Sequence, residues 1–223
     1  MGSLVADKPF LLLITLWEPR FESFLYTCLQ AADAAHDLAH IRRVVTSAKR
    51  LAHAEGAALE IVVPAAWLHD CVIVAKDDPR RKEASRLAAQ TAVTFLRSVE
   101  YPEAHLSPIA HAIAAHSFSA NIPPETLEAR VVQDADRLDA LGAIGLSRCL
   151  LTGGALGRPL YDPDDPFAEH RPADDAQFTI DHFYTKLLRL PATMQTEAGR
   201  QEAQTRVTFM THYLDVLRHE IEA

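Results

Sequence analysis

Apolar residues recur along this chain at spacings of three and four, while period-two alternation is almost absent, a pattern that predicts a mostly helical, all-α fold. The C-terminal stretch shows it most fully: Val207, Met210, Leu214, Leu217 and Ile221 repeat at 3, 4, 3, 4, with Arg206, Asp215, Arg218 and Glu220 between them. Such a stripe lays one amphipathic helix on a core, and fewer than three heptads are present to make a partner-helix seam. The same periodicity predicts helices over about 22–31, 37–53, 59–70, 81–99, 105–116, 124–150 with a break, 174–188 and 197–222. Between Thr152 and Asp175 the run TGGALGRPLYDPDDPFAEHRPADD is dense in Gly, Pro and Asp and predicts a long irregular loop of the kind that often forms a lid.

Composition narrows the class of protein. At 223 residues and 48% apolar content the chain can bury one sizeable core, and a single domain over 20–223 is expected after a lead-in over 1–19. The lead-in contains the eight-residue apolar run Phe10 to Trp17, well short of the ~20 residues that span a bilayer. Glu18, Pro19 and Arg20 follow where a signal peptide would need small residues. A formal charge of −8 argues against duplex nucleic acid or an anionic membrane as partner, and leaves room for a small anion held by a local basic cluster. Cys28, Cys71 and Cys149 form no C-x-x-C pair, so they read as small core residues of a protein of the reducing cytoplasm.

Three segments carry candidate chemistry. In AAHDLAHIRRVVTSAKRLA, residues Ile41, Val44, Val45, Ala48, Leu51 and Ala52 form an apolar helix face with His40 at its flank, whereas His36 falls further round and reads as an exposed or capping residue. In EIVVPAAWLHDCVIVAK, His69 and Asp70 end an almost wholly apolar stretch, where an unpaired charge is costly. That dipeptide fits a cation at a helix end and equally a cap followed by a turn. In RVVQDADRLDALGAIGLSR, Asp134, Asp136 and Asp139 would repel one another in a buried helix without a compensating cation. Helical geometry places Asp134 and Asp139 nearer the apolar face than Asp136. Together the segments offer imidazole nitrogens and carboxylate oxygens, a donor set suited to Mn²⁺, Fe²⁺, Ni²⁺, Mg²⁺ or Zn²⁺.

The motifs HDLAHIRRV, WLHD and DADRLDALGAIG, with AIAAHSF between the second and third, resemble the H…HD…D signature of the HD-domain metal-dependent phosphohydrolases, and of their small stand-alone bacterial branch. The resemblance covers roughly residues 20–220 and implies an all-α HD-domain helical bundle. It also implies one divalent metal ion per chain, Mn²⁺ or Mg²⁺ first and Fe²⁺, Ni²⁺, Co²⁺ or Zn²⁺ as alternatives, held by His40, His69, Asp70 and Asp136. Asp136 is chosen over its neighbours because the family's aspartate precedes a basic residue, here Arg137. Asp70 would also act in catalysis, and Lys76, Arg81 and Arg137 are the candidates for binding a phosphate chain. His111 and His116 are further catalytic candidates; five residues apart, they diverge by about 140° on a helix, which favours one of them, His116. His170 and Arg171, in the long loop, are candidates to close over substrate.

The expected activity is hydrolysis of a small phosphate ester or anhydride, foremost a nucleotide, with either pyrophosphate or phosphate released. The chain would act as a monomer or homodimer. Two rivals share the donor set: a di-iron oxygenase, with His111 and His116 serving a second metal, and a non-catalytic metal-stabilised ligand sensor. The histidine assignment has a direct check. Replacing His40, His69 or Asp136 by Ala should abolish metal binding and activity, whereas His36→Ala should retain both; equal loss in His36→Ala, read by metal content and turnover, would overturn it.

Overall fold

Val62 to Leu68 are all buried, so the helix that carries them has no solvent face and must lie inside the bundle. The computed structural model describes residues 8–28, 38–74, 78–117 and 120–222. Among these residues there are nine α-helices and no strand: α1 Lys8–Cys28, α2 Leu38–Glu55, α3 Leu59–Leu68, α4 Ala84–Ser98, α5 Glu103–His116, α6 Leu127–Leu138, α7 Gly142–Ala155, α8 Asp181–Thr185 and α9 Glu197–Glu222. Short 3₁₀ turns cover Pro79–Glu83 and Leu187–Thr193. No helix among the described residues is long and apolar enough to cross a membrane.

Two compact units divide the chain, Met1–Asp136 and Arg137–Ala223. In the first, α3 is the axis, packed against α1, α2, α5 and α4. α2 buries the apolar face expected of it, Ile41, Val44, Val45, Ala48, Leu51 and Ala52, together with His40. Pro64 inside α3 has no N–H to give the Glu60 carbonyl four residues back, and the Tyr101 hydroxyl donates to that oxygen instead at 2.7 Å. The helix expected over about 22–31 starts earlier: α1 begins at Lys8 and runs through Pro19 without ending there. Proline inside a helix costs about 3 kcal/mol. Here Phe21 and Leu25 are fully buried and Glu18 accepts from both Lys49 Nζ at 2.7 Å and Trp67 Nε1 at 3.0 Å, which ties α1 to α2 and α3. Of the three cysteines, all free, Cys71 is buried and the other two are half-buried. Burial pushes the Cys71 thiol up to about 12.

The second unit is built on α7 and α9. α9 spans the predicted range and buries Val207, Met210 and Leu214 of its stripe, with Ala203 one turn before them. The break expected within 124–150 spans Asp139 to Leu141, and Gly142, with a φ of 70°, begins α7 in a conformation that side chains disfavour. The helix expected over 174–188 is instead the short α8 and a 3₁₀ turn, because Asp174 and Asp175 spend their carboxylates on local groups. Asp174 Oδ1 accepts from the Ala176 amide, and Asp175 Oδ2 accepts from His182 Nδ1 and Thr185 Oγ1. The preceding loop is internally braced. Arg171 donates to the fully buried Asp181 at 2.5 and 2.9 Å, stands 3.2 Å from Asp162, and lies over the Phe178 ring.

Close packing in this unit makes a paired prediction. A Cβ added at Gly153 would lie 2.2 Å from Thr179 Oγ1, whereas at Gly154, one residue on in the same helix, nothing lies within 4 Å. Gly153→Ala should therefore destabilise by about 1–3 kcal/mol. Gly154→Ala should be neutral or stabilising by up to about 1 kcal/mol, both read from denaturant midpoints.

Candidate metal centre

The last carbonyls of a helix lack amide partners, and two histidines use this at the ends of two helices. His69, at the end of α3, donates Nδ1–H to the Ala66 carbonyl at 2.8 Å, and His116, the last residue of α5, donates Nδ1–H to the Ile113 carbonyl at 2.6 Å. Because a carbonyl only accepts, Nδ1 must carry the proton in each ring, and each Nε2 is left to face the other way. His40 enters from the first turn of α2, Asp70 follows His69, and Asp136 comes from α6.

These five side chains converge. His40 Nε2 lies 3.5 Å from Asp136 Oδ1 and 3.9 Å from Asp70 Oδ2. His69 Nε2 lies 3.5 Å from Asp70 Oδ2 and 3.8 Å from Asp136 Oδ1, and His116 Nε2 lies 3.5 Å from Asp70 Oδ1. Two donors each about 2.1 Å from one ion stand roughly 3.0–3.4 Å apart, so the cluster is only slightly wider than a filled site. The imidazoles are buried, with exposures of 2%, 0% and 6% for His40, His69 and His116, while the Asp70 and Asp136 side chains retain 24% and 28%. Two overlapping groups could each hold a cation, His40 with His69 and Asp136, and His69 with Asp70 and His116.

The donors fit a cation on an observation independent of spacing. His69 Nε2 is buried and makes no hydrogen bond, which is costly for a nitrogen lone pair unless an electrophile meets it. Burial lowers the proton affinity of His69 and favours the neutral imidazole that ligates metals. Burial also opposes a proton on His116, but the adjoining Asp70, and then Asp136, outweigh it and raise that group to about 9.

Asp134 on α6 and Asp139 in the turn just after it are the buried acids, as helical geometry predicts, and Asp139 pairs with Arg148 at 2.5 Å. Asp136, half-buried between them in sequence, is the one that reaches the histidines. His111 takes no part in either group, and its Nε2 accepts from the Glu125 amide at 3.0 Å. Arg137, expected to bind a phosphate chain, donates Nη1–H to the Thr193 carbonyl at 2.6 Å. His36 and Lys76 lie outside the described residues, as does the side chain of Arg81. Gln133 is a further buried polar residue of α6, and its place beside Val131, Val132 and Ala135 is the one signal of it in the sequence.

Three imidazoles and two carboxylates gathered on an all-helical core form a donor set that suits a divalent cation, and comparison with known proteins places the chain among relatives of that kind of fold. The HD domain family matches residues 37–141, which include all five cluster residues. The chain is 32% identical to Bacillus subtilis YpgQ over 206 residues, covering 91% of this chain and 92% of YpgQ. A crystal structure of YpgQ in complex with ADP superposes with a TM-score of 0.71. An HD-superfamily hydrolase from Bacillus thuringiensis superposes with a TM-score of 0.73 at 34% identity, covering 92% of this chain and 96% of that one. The chain belongs to the HD-domain family and has the fold of the HD-superfamily hydrolases.

Metal linkage is directly measurable. A divalent ion at about a hundred times its Kd should stabilise the metal-stripped protein by about 2.7 kcal/mol, with chelator reversing the shift. His69→Ala should lose that shift in a thermal scan, and His111→Gln should keep it.

Proposed function

We propose that this protein is a divalent-metal-dependent phosphohydrolase acting on a small phosphate ester or anhydride, foremost a nucleotide. The observation that carries the reading is the convergence of three buried imidazoles and two carboxylates from four helices around the unpartnered His69 Nε2. In this reading His40, His69, Asp70 and Asp136 hold one ion, Mn²⁺ or Mg²⁺ by preference. The bound cation supplies an activated water and a Lewis acid for a phosphoryl oxygen. Asp70, turned with one oxygen toward His69 and the other toward His116, orients the water, and His116 gives a proton to the departing oxygen. Lys76 and Arg81 hold the phosphate chain, a role their basic character suits.

One ion per chain is favoured over two. Both candidate groups draw on the same His69 Nε2, which can ligate a single ion because Nδ1 is bonded to Ala66, and the His111 needed for a second metal is engaged with Glu125. This weighs against the di-iron oxygenase. The nucleotide preference is supported by the ADP complex of YpgQ, a relative at 32% identity. A small phosphorylated metabolite of the cytoplasm is the corresponding partner.

The test is hydrolysis of a panel of nucleotides and phosphate esters by metal-stripped protein resupplied with Mn²⁺, Mg²⁺, Fe²⁺, Ni²⁺, Co²⁺ or Zn²⁺, with pyrophosphate and phosphate resolved. Release of pyrophosphate from a nucleoside triphosphate is the expected result, and phosphate release would make the protein a phosphatase. No product with any metal would overturn the reading.

A further inference from the structure

Gln133 lies on α6 three residues before Asp136, is 3% exposed, and donates Nε2–H to the Ala115 carbonyl at 2.7 Å. The acceptor is a carbonyl, so the amide must present its NH₂ side there, and Oε1 is left buried without a hydrogen-bond partner. An unpaired buried oxygen lowers stability, so the side chain is not explained by stability alone. Its contact explains it better. The Ala115 carbonyl belongs to the peptide unit that joins Ala115 to His116, and α5 ends at His116, where the chain turns to an extended conformation at Ser117. At that point the His116 amide still donates into the helix but the Ala115 carbonyl has no amide partner within it, so the ladder holds the peptide plane on one side only. Rotation of this plane would swing the imidazole away from Asp70, and the Ile113 carbonyl alone would hold the ring.

We infer that Gln133 is a positioning residue: by fixing the Ala115–His116 peptide from α6, it aims His116 Nε2 at Asp70 and keeps the α5 and α6 contributions to the cluster in register. The inference rests on the phosphohydrolase reading only for its catalytic consequence. Its geometric content concerns His116 itself.

The test compares wild type, Gln133→Leu, His116→Ala and the double variant, with ¹⁵N-histidine-labelled protein for NMR. In Gln133→Leu the His116 ring nitrogens should shift and its Nδ1 proton should exchange faster with solvent, while the His69 ring, held by Ala66, is unchanged. The thermal midpoint should change little, because removal of the unsatisfied Oε1 offsets loss of the donor to the Ala115 carbonyl. In the hydrolysis assay kcat should fall by about 10–100-fold with KM near wild type. His116→Ala should cost about 10²–10⁴-fold, with the double variant no slower than His116→Ala alone. Unchanged His116 signals in Gln133→Leu, or losses that multiply in the double variant, would overturn the inference. If wild type hydrolyses nothing, the phosphohydrolase reading fails while the NMR comparison still decides the role of Gln133. Should Gln133→Leu fail to fold, Gln133→Met serves the same comparison.

Discussion

α3 is apolar on every side and must be enclosed, and the first unit of the chain is arranged to enclose it. α1, α2, α4 and α5 all pack on it, and the Glu18 carboxylate ties the first of these to Lys49 on α2 and to Trp67 on α3 itself. The consequence for chemistry is positional. A helix surrounded by others offers its polar groups one exit, its end, and His69 and Asp70 stand there.

The centre is assembled from helix termini for a reason of hydrogen bonding. Terminal carbonyls need donors, and a histidine placed there satisfies one with Nδ1 while Nε2 is turned away from the helix. The device appears twice, at His69 with Ala66 and at His116 with Ile113, and it fixes tautomer and direction together. With the rings buried and the two carboxylates partly exposed, the cluster has a closed nitrogen side and an opening on the side of its acids. That asymmetry suits an ion that must be held firmly and still meet a substrate from solvent.

In the second unit the irregular segment that composition marks as a loop is held by its own charges. Arg171 gathers Asp162 and the buried Asp181, and Asp175 gathers His182 and Thr185, so a sequence rich in turn-formers becomes a braced structure. Asp162, Asp175 and Asp181 each find a partner seven to ten residues away.

Much of this was legible in the residues. The helical class, the buried face of α2, the extent of α9 and the imidazole and carboxylate types of the centre follow from periodicity and from the cost of placing polar groups among apolar ones. Tertiary structure decided the rest. Pro19 does not end α1 because Phe21 and Leu25 find a core beyond it. Asp136 reaches the histidines although Asp134 and Asp139 are the buried acids, and His116 does so although His111 lies on the same helix. Periodicity reports which side of a helix avoids water. Which atom meets which across helices is set by where distant segments end, and that information is distributed over the whole packed chain.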